Sequence, residues 1–122
     1  MPEASAGLRT LWLGYRNRLR RRALLLRAYR RRGELSPVSD RTAAIGQGDV
    51  LCFACLRNEG RRLPGFLAHN RRLGVGHFLV VDNGSTDATA SILAEAADVS
   101  VWRTGASYKA ARFGMDWLTW LM

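Results

Sequence analysis

The sequence predicts an open α/β domain with a mostly parallel sheet, preceded by an arginine-rich amphipathic helix. Three observations carry this reading. From Asp49 onward, short apolar runs alternate with segments of helical spacing, the pattern of strands joined by crossover helices. The first two apolar runs each end in a polar, turn-forming cluster. The positive charge is concentrated ahead of this alternation: residues 1–40 carry +7 of the formal net charge of +9, and residues 41–122 only +2.

The elements follow in order. Leu8, Leu11, Trp12, Tyr15, Leu19, Leu26 and Tyr29 recur at three-, four- and seven-residue steps, which predicts a helix over Leu8–Arg32 with arginine on most of its remaining surface. Gly33 and Pro37 close this leader, residues 1–33, and the Ser-, Gly- and Thr-rich residues 34–48 read as a linker. The domain proper then runs over 49–122. Val50–Leu56 is its first strand. Leu63–Leu73 is a helix, with Pro64 in its first turn and Gly74 at its end. His77–Asp82 is a continuous apolar run ending in an acid, as expected of a strand covered on both faces. Asp87–Ala97 is a second helix opened by Ser85-Thr86-Asp87, Val99–Trp102 a short third strand, and Ser107 to the end a third helix.

Composition narrows the class. The apolar share of 48% is enough for a globular core. No uncharged apolar run approaches the roughly 18 residues of a membrane span. Arg9, Arg16 and Arg18 interrupt the one apolar stretch that would serve as a signal peptide, so an intracellular location is expected. Cys52 and Cys55 form a Cys-x-x-Cys, but inside an apolar strand, where residues three apart face opposite sides. A zinc site completed by His69 and His77 has a seven-residue gap where three to five are usual. Both cysteines therefore read as small packing residues, and both histidines as surface or packing residues.

In open α/β sheets, ligands gather at the carboxyl ends of strands. The first strand runs into Arg57-Asn58-Glu59-Gly60 and the second into Asp82-Asn83-Gly84-Ser85-Thr86-Asp87. Carboxylates and carboxamides at adjacent loop tips accept the N–H groups of a base and the hydroxyls of a ribose. Gly84 permits a tight turn, and the next helix offers free N–H groups. Asp87 reads as the cap of that helix and Asn58 as a turn residue, whereas Asp82, an acid ending a buried strand, reads as a ligand contact.

Val80-Val-Asp-Asn-Gly-Ser-Thr-Asp-Ala-Thr89 resembles the second-strand signature of family 2 glycosyltransferases, and Cys55-Leu-Arg-Asn-Glu59 resembles the ending of their first strand. Leu63-Pro-Gly-Phe-Leu-Ala-His69 and Leu73-Gly-Val-Gly-His-Phe78 are similar to the branch related to family 92 enzymes, so the resemblance covers Asp49 to about Met122. It implies a Rossmann-like GT-A sheet and transfer of a sugar from a nucleotide-diphosphate donor. It further implies that Glu59 and the backbone from Cys55 to Arg57 hold the nucleoside and that Asp82 and Asn83 contact the base. Lys109 and Arg112 fall near the donor, although Phe113 stands where the family has asparagine. A divalent ion, Mn²⁺ or Mg²⁺, bridges the diphosphate in that family, held by an Asp-x-Asp that these 122 residues lack. The metal ligands and the catalytic base are thus expected beyond Met122, and the helical pattern that runs up to Met122 without a stop signal reads as truncation.

Two further expectations attach to that reading. The first strand is left with an unpaired edge, and the last helix, apolar on two sides, lacks a partner on one of them. A signalling receiver domain also carries acids at strand ends, but the third strand here ends in Trp102-Arg103-Thr104 instead of a phosphorylatable aspartate. For the leader, three readings stand: a helix on an anionic membrane surface, such as the inner face of the cell membrane; a phosphate-binding helix on nucleic acid; or a solvated helix with no partner. No nucleic-acid-binding fold follows it, so nucleic acid is not an expected partner. A non-catalytic membrane-surface or interaction module driven by this helix is the alternative to the transferase.

Overall fold

The computed structural model describes residues 2–122, with side chains described from Ser5. Four helices, α1 (Pro2–Arg31), α2 (Leu63–Arg72), α3 (Thr89–Glu95) and α4 (Met115–Leu121), accompany four strands, β1 (Ser36–Ser39), β2 (Val50–Leu56), β3 (Val75–Asp82) and β4 (Val99–Arg103). The strands form one sheet in the order β1-β4-β3-β2. β2, β3 and β4 run parallel, and β1 joins the far side of β4 antiparallel. The architecture is therefore α/β with a mixed, mostly parallel sheet.

β1 is a departure from the sequence reading. Residues 34–48, expected to form a linker, instead supply an edge strand, with Ser36 opposite Arg103 and Ser39 opposite Val101. A Ser-Pro-Val-Ser strand carries no alternating apolar signal, and its proline is tolerated because an edge strand has one unpaired side. Arg41 anchors the same segment. Its N–H donates to Ser100 Oγ at 2.9 Å, and its guanidinium donates to the carbonyls of Ala94 (2.9 Å), Ala96 and Val99, spanning the end of α3 and the start of β4.

Alternation along β3 divides the core. Phe78 and Val80 pack with Leu63 and Leu67 of α2, Leu93 of α3, and Val99 and Val101. Val81 faces the other way, onto Ala111 and Trp117, with Leu35, Cys55, Leu118 and Leu121 around them. Cys52 belongs to the first cluster and Cys55 to the second, as the strand period requires, and both thiols are free. His77 is buried against Ser100, with Nε2 2.8 Å from Oγ.

The last helix differs from its expected span. Residues 108–114 form turns and α4 starts only at Met115. Arg112, Phe113 and Gly114 all have positive φ (51°, 56° and 80°), which breaks any right-handed helix there. A Cβ on Gly114 would meet Cys55 Sγ at 3.0 Å and Tyr108 at 3.2 Å, so the glycine lets this turn settle onto the end of β2.

The Trp120 side of α4 has a partner, the end of α1, whereas Met115 and Met122 on its other apolar stripe stay 51% and 82% exposed. Tyr29 meets Trp120 edge-on at 6.0 Å, and Trp117, fully buried, donates Nε1–H to Glu34 Oε2 at 2.8 Å. Beneath them lies Asp116, 0% exposed, with Arg112 Nε at 2.8 Å, Arg31 Nε at 3.4 Å and Arg27 Nε at 3.6 Å. β2 forms the other margin of the sheet; among the described residues nothing pairs with its outer edge, where Val50 is 59% exposed. No helix of the described residues is long and apolar enough to cross a membrane.

Candidate functional site at the strand ends

The parallel register aligns Leu56 with Asp82 and Asp82 with Arg103, so three strand ends open at one level. The loops that leave them are tied together by main-chain and side-chain bonds. Asn58, at φ 52°, donates its N–H to Ser85 Oγ (3.0 Å) and accepts the Thr86 N–H on Oδ1 (2.7 Å). Asp87 Oδ2 accepts the Gly60 N–H at 3.0 Å, and its Oδ1 accepts the Thr89 N–H at 2.9 Å. Thr89, more than the Gly60 bond, holds the Asp87 carboxyl below the ordinary carboxylate range. Asp87 is not the N-cap expected of it, since Ala88 holds that position; it joins the two loops and the approach to α3 instead. Asn58 likewise closes its turn by bonding across to the neighbouring loop.

Between these clamped loops and the 105–114 turn lies a cleft of about 470 Å³, lined by Cys55, Leu56, Arg57, Glu59, Arg62, Leu63, Phe66, Asn83 and Tyr108. It adjoins a recess of about 540 Å³ bounded by Gly84, Gly105, Ala106, Ser107 and Lys109, and both share Arg57, Asn83 and Tyr108. Phe66 and Tyr108 give the walls apolar area. Arg57, Arg62 and Lys109 supply positive charge, and Glu59 and Asn83 supply acceptors. Such a mixture suits a ligand with a flat or apolar part and an anionic part.

Of the residues singled out from the sequence, Cys55, Arg57, Glu59 and Asn83 meet in the cleft, and Lys109 borders the adjoining recess. The Cys55 thiol is pushed up to about 11, first by burial and then by the neighbouring Asp82 charge, so it stays neutral and acts as an apolar wall. Asp82 and Arg112 line neither cavity. Asp82 is 1% exposed and its Oδ1 accepts the Ser85 N–H at 2.9 Å, so the acid that ends β3 has a structural task in shaping the turn behind the cleft wall. Arg112 is turned toward Asp116 and the end of α1. Phe66 and Tyr108 join the cleft although neither is among the site residues expected from the sequence. An aromatic in a glycine-bounded loop after a third strand was the available signal for Tyr108.

The donor set gives no site for the divalent ion that the resemblance implies. Among the described residues no three His, Cys, Asp or Glu side chains converge, and the carboxylates of Asp82 and Asp87 are already engaged by backbone N–H groups. Comparison with family models, with curated proteins and with solved structures returns no match to this chain.

Proposed function

We propose that this chain carries the nucleotide-sugar-binding site of a glycosyltransferase of the family 2 type, with a Rossmann-like GT-A sheet, acting on a nucleotide-diphosphate sugar. The observation that carries the reading is the convergence of Arg57, Glu59 and Asn83 with Phe66 and Tyr108 in one cleft at the carboxyl ends of parallel strands. An aromatic wall stacks a base, Glu59 and Asn83 accept its N–H groups or the ribose hydroxyls, and Arg57 with Lys109 faces the phosphates. The clamp of Asn58 and Asp87 on the facing loop keeps these groups in place before ligand arrives, which lowers the ordering cost of binding. The chain's own residues bind and orient the donor in this reading.

Calorimetric titration of the chain with uridine, guanosine and thymidine diphosphates tests the reading. At least one should bind. Asn83→Ala and Glu59→Ala should each weaken that binding by about 1–3 kcal/mol, the range for a lost hydrogen bond to a polar or charged partner. Asp82→Ala should act mainly on the fold, by releasing the Ser85 turn. Absence of binding by every nucleotide, or affinity unchanged in both cleft variants, rejects the assignment.

A further inference from the structure

From Ser5 to Arg27 every residue of α1 is exposed, and Ala28 is the helix's one buried residue among those described. Contact with the body is confined to the last turns, through Arg27, Ala28, Tyr29 and Arg31. At about 100° per residue, Arg27, Ala28 and Arg31 lie on one half of the helix. Leu8, Leu11, Trp12, Tyr15, Leu19 and Leu26 lie on the other half, where they are 47–73% exposed. Tyr29, at the end of this stripe, alone turns onto Trp120. The body therefore grips the helix from behind and leaves its aromatic and aliphatic stripe facing outward.

The stripe's charge surroundings say what fits it. Between Gly7 and Arg32 the sequence has ten arginines and no acidic residue. Arg9 and Arg16 flank the stripe on one side and Arg18 and Arg22 on the other, and Arg16 stacks over the Trp12 ring at 5.4 Å. A second copy of the chain would bring two such unneutralised helices together, which like-charge repulsion opposes. Nucleic acid would neutralise the arginines but leave the leucines and Trp12 in water. A bilayer containing anionic lipid satisfies both: the stripe enters the acyl boundary while the flanking guanidinium groups meet phosphates at headgroup level.

We infer that α1 is a membrane-surface helix that lies flat on an anionic bilayer through Leu8, Leu11, Trp12, Tyr15, Leu19 and Leu26, with the α/β body held on its opposite side by the Asp116 arginine cluster. This inference is independent of the nucleotide reading, since none of these six residues lines the strand-end cleft.

Co-sedimentation of the whole chain with phosphatidylcholine vesicles, with and without 30% phosphatidylglycerol (roughly the anionic share that gives a strong surface potential), tests it. Binding should require the anionic lipid and fall as salt rises. Leu11→Ser with Tyr15→Ser should lower partitioning by roughly tenfold or more, from the apolar area withdrawn. Leu13→Ser, an exposed residue on the gripped side, should change it less than about twofold, since its side chain stays in water. Unaltered circular dichroism in all three proteins shows that the body and helix persist. No binding to the anionic vesicles overturns the inference, as does equal binding to neutral ones. So does a Leu13 variant as impaired as the stripe variant, a duplex DNA that outcompetes the vesicles at about 0.15 M salt, or concentration-dependent dimerisation abolished by the stripe variant.

Discussion

The two faces of the sheet are covered by different means. On one face α2 and α3, each the crossover between neighbouring parallel strands, bury Leu63, Leu67, Phe78, Val80, Leu93, Val99 and Val101 against one another. The contact is apolar and its members lie within about forty residues of sequence. On the other face α4 meets the end of α1, some eighty-five residues away in the chain. There the apolar layer of Val81, Ala111 and Trp117 is backed by a charged one, Asp116 with Arg27, Arg31 and Arg112, and by Glu34 bonded to both Arg31 and Trp117. The difference is one of tolerance. An apolar face loses stability in proportion to the area removed, whereas a buried carboxylate depends on its partners, and one lost charge exposes the cost of burying the others.

Cavity-forming substitutions give the largest effects and probe the two faces side by side. Leu93→Ala should cost about 2–5 kcal/mol and Trp117→Ala about 3–5 kcal/mol of unfolding free energy in urea titrations. Only the second should also raise amide exchange in the last turn of α1, because it strips Glu34 of the indole N–H. Equal exchange in the two variants would show that both faces open as one unit and erase the distinction.

Asp116→Asn sharpens the comparison at lower cost. The side chain keeps its shape and loses the charge that holds three guanidinium groups, each on a side chain 29–48% exposed. A loss of about 1–3 kcal/mol is expected, the range for a hydrogen-bonded charged group. Protection at residues 27–31 should fall while protection of β3 and α3 is retained. An α1 that stays protected would mean the Tyr29–Trp120 contact alone suffices to dock it.

The smallest effect belongs to the apolar face, whose one ion pair lies at its rim. Arg71 donates Nε–H and Nη2–H to the two oxygens of Asp98, both at 2.7 Å, and these bonds hold the Asp98 carboxyl below its ordinary range. A carboxyl with a depressed folded-state pKa adds stability that is fully present above its unfolded pKa of about 4 and is lost as pH falls through the folded value. The Arg71 side chain is 42% exposed, so solvent screening limits this to under about 1 kcal/mol. Acid titration of Arg71→Ala should show a shallower loss of stability below about pH 4 than the parent protein; an identical acid profile would remove the pair from the balance.

The sequence by itself determined the parallel part of this fold. Val50–Leu56 appears at its expected bounds, and the runs ending at Asp82 and beginning at Val99 lie within β3 and β4, because an apolar run bounded by turn residues has few other solutions. The same local logic made the arginine-rich helix legible and placed Arg57, Glu59 and Asn83 at strand ends. Only the tertiary structure decided what depends on distant partners. Ser36–Ser39 became a strand because β4 offered an open edge, a gain invisible in four residues with a single apolar side chain other than proline. Asp82 turned inward because the Ser85 N–H lay within reach. Arg112 turned away from the cleft because Asp116, buried against α1, needed its charge. Periodicity records which face of an element is apolar. It carries no record of which charge, eighty residues away, will come to rest beside it.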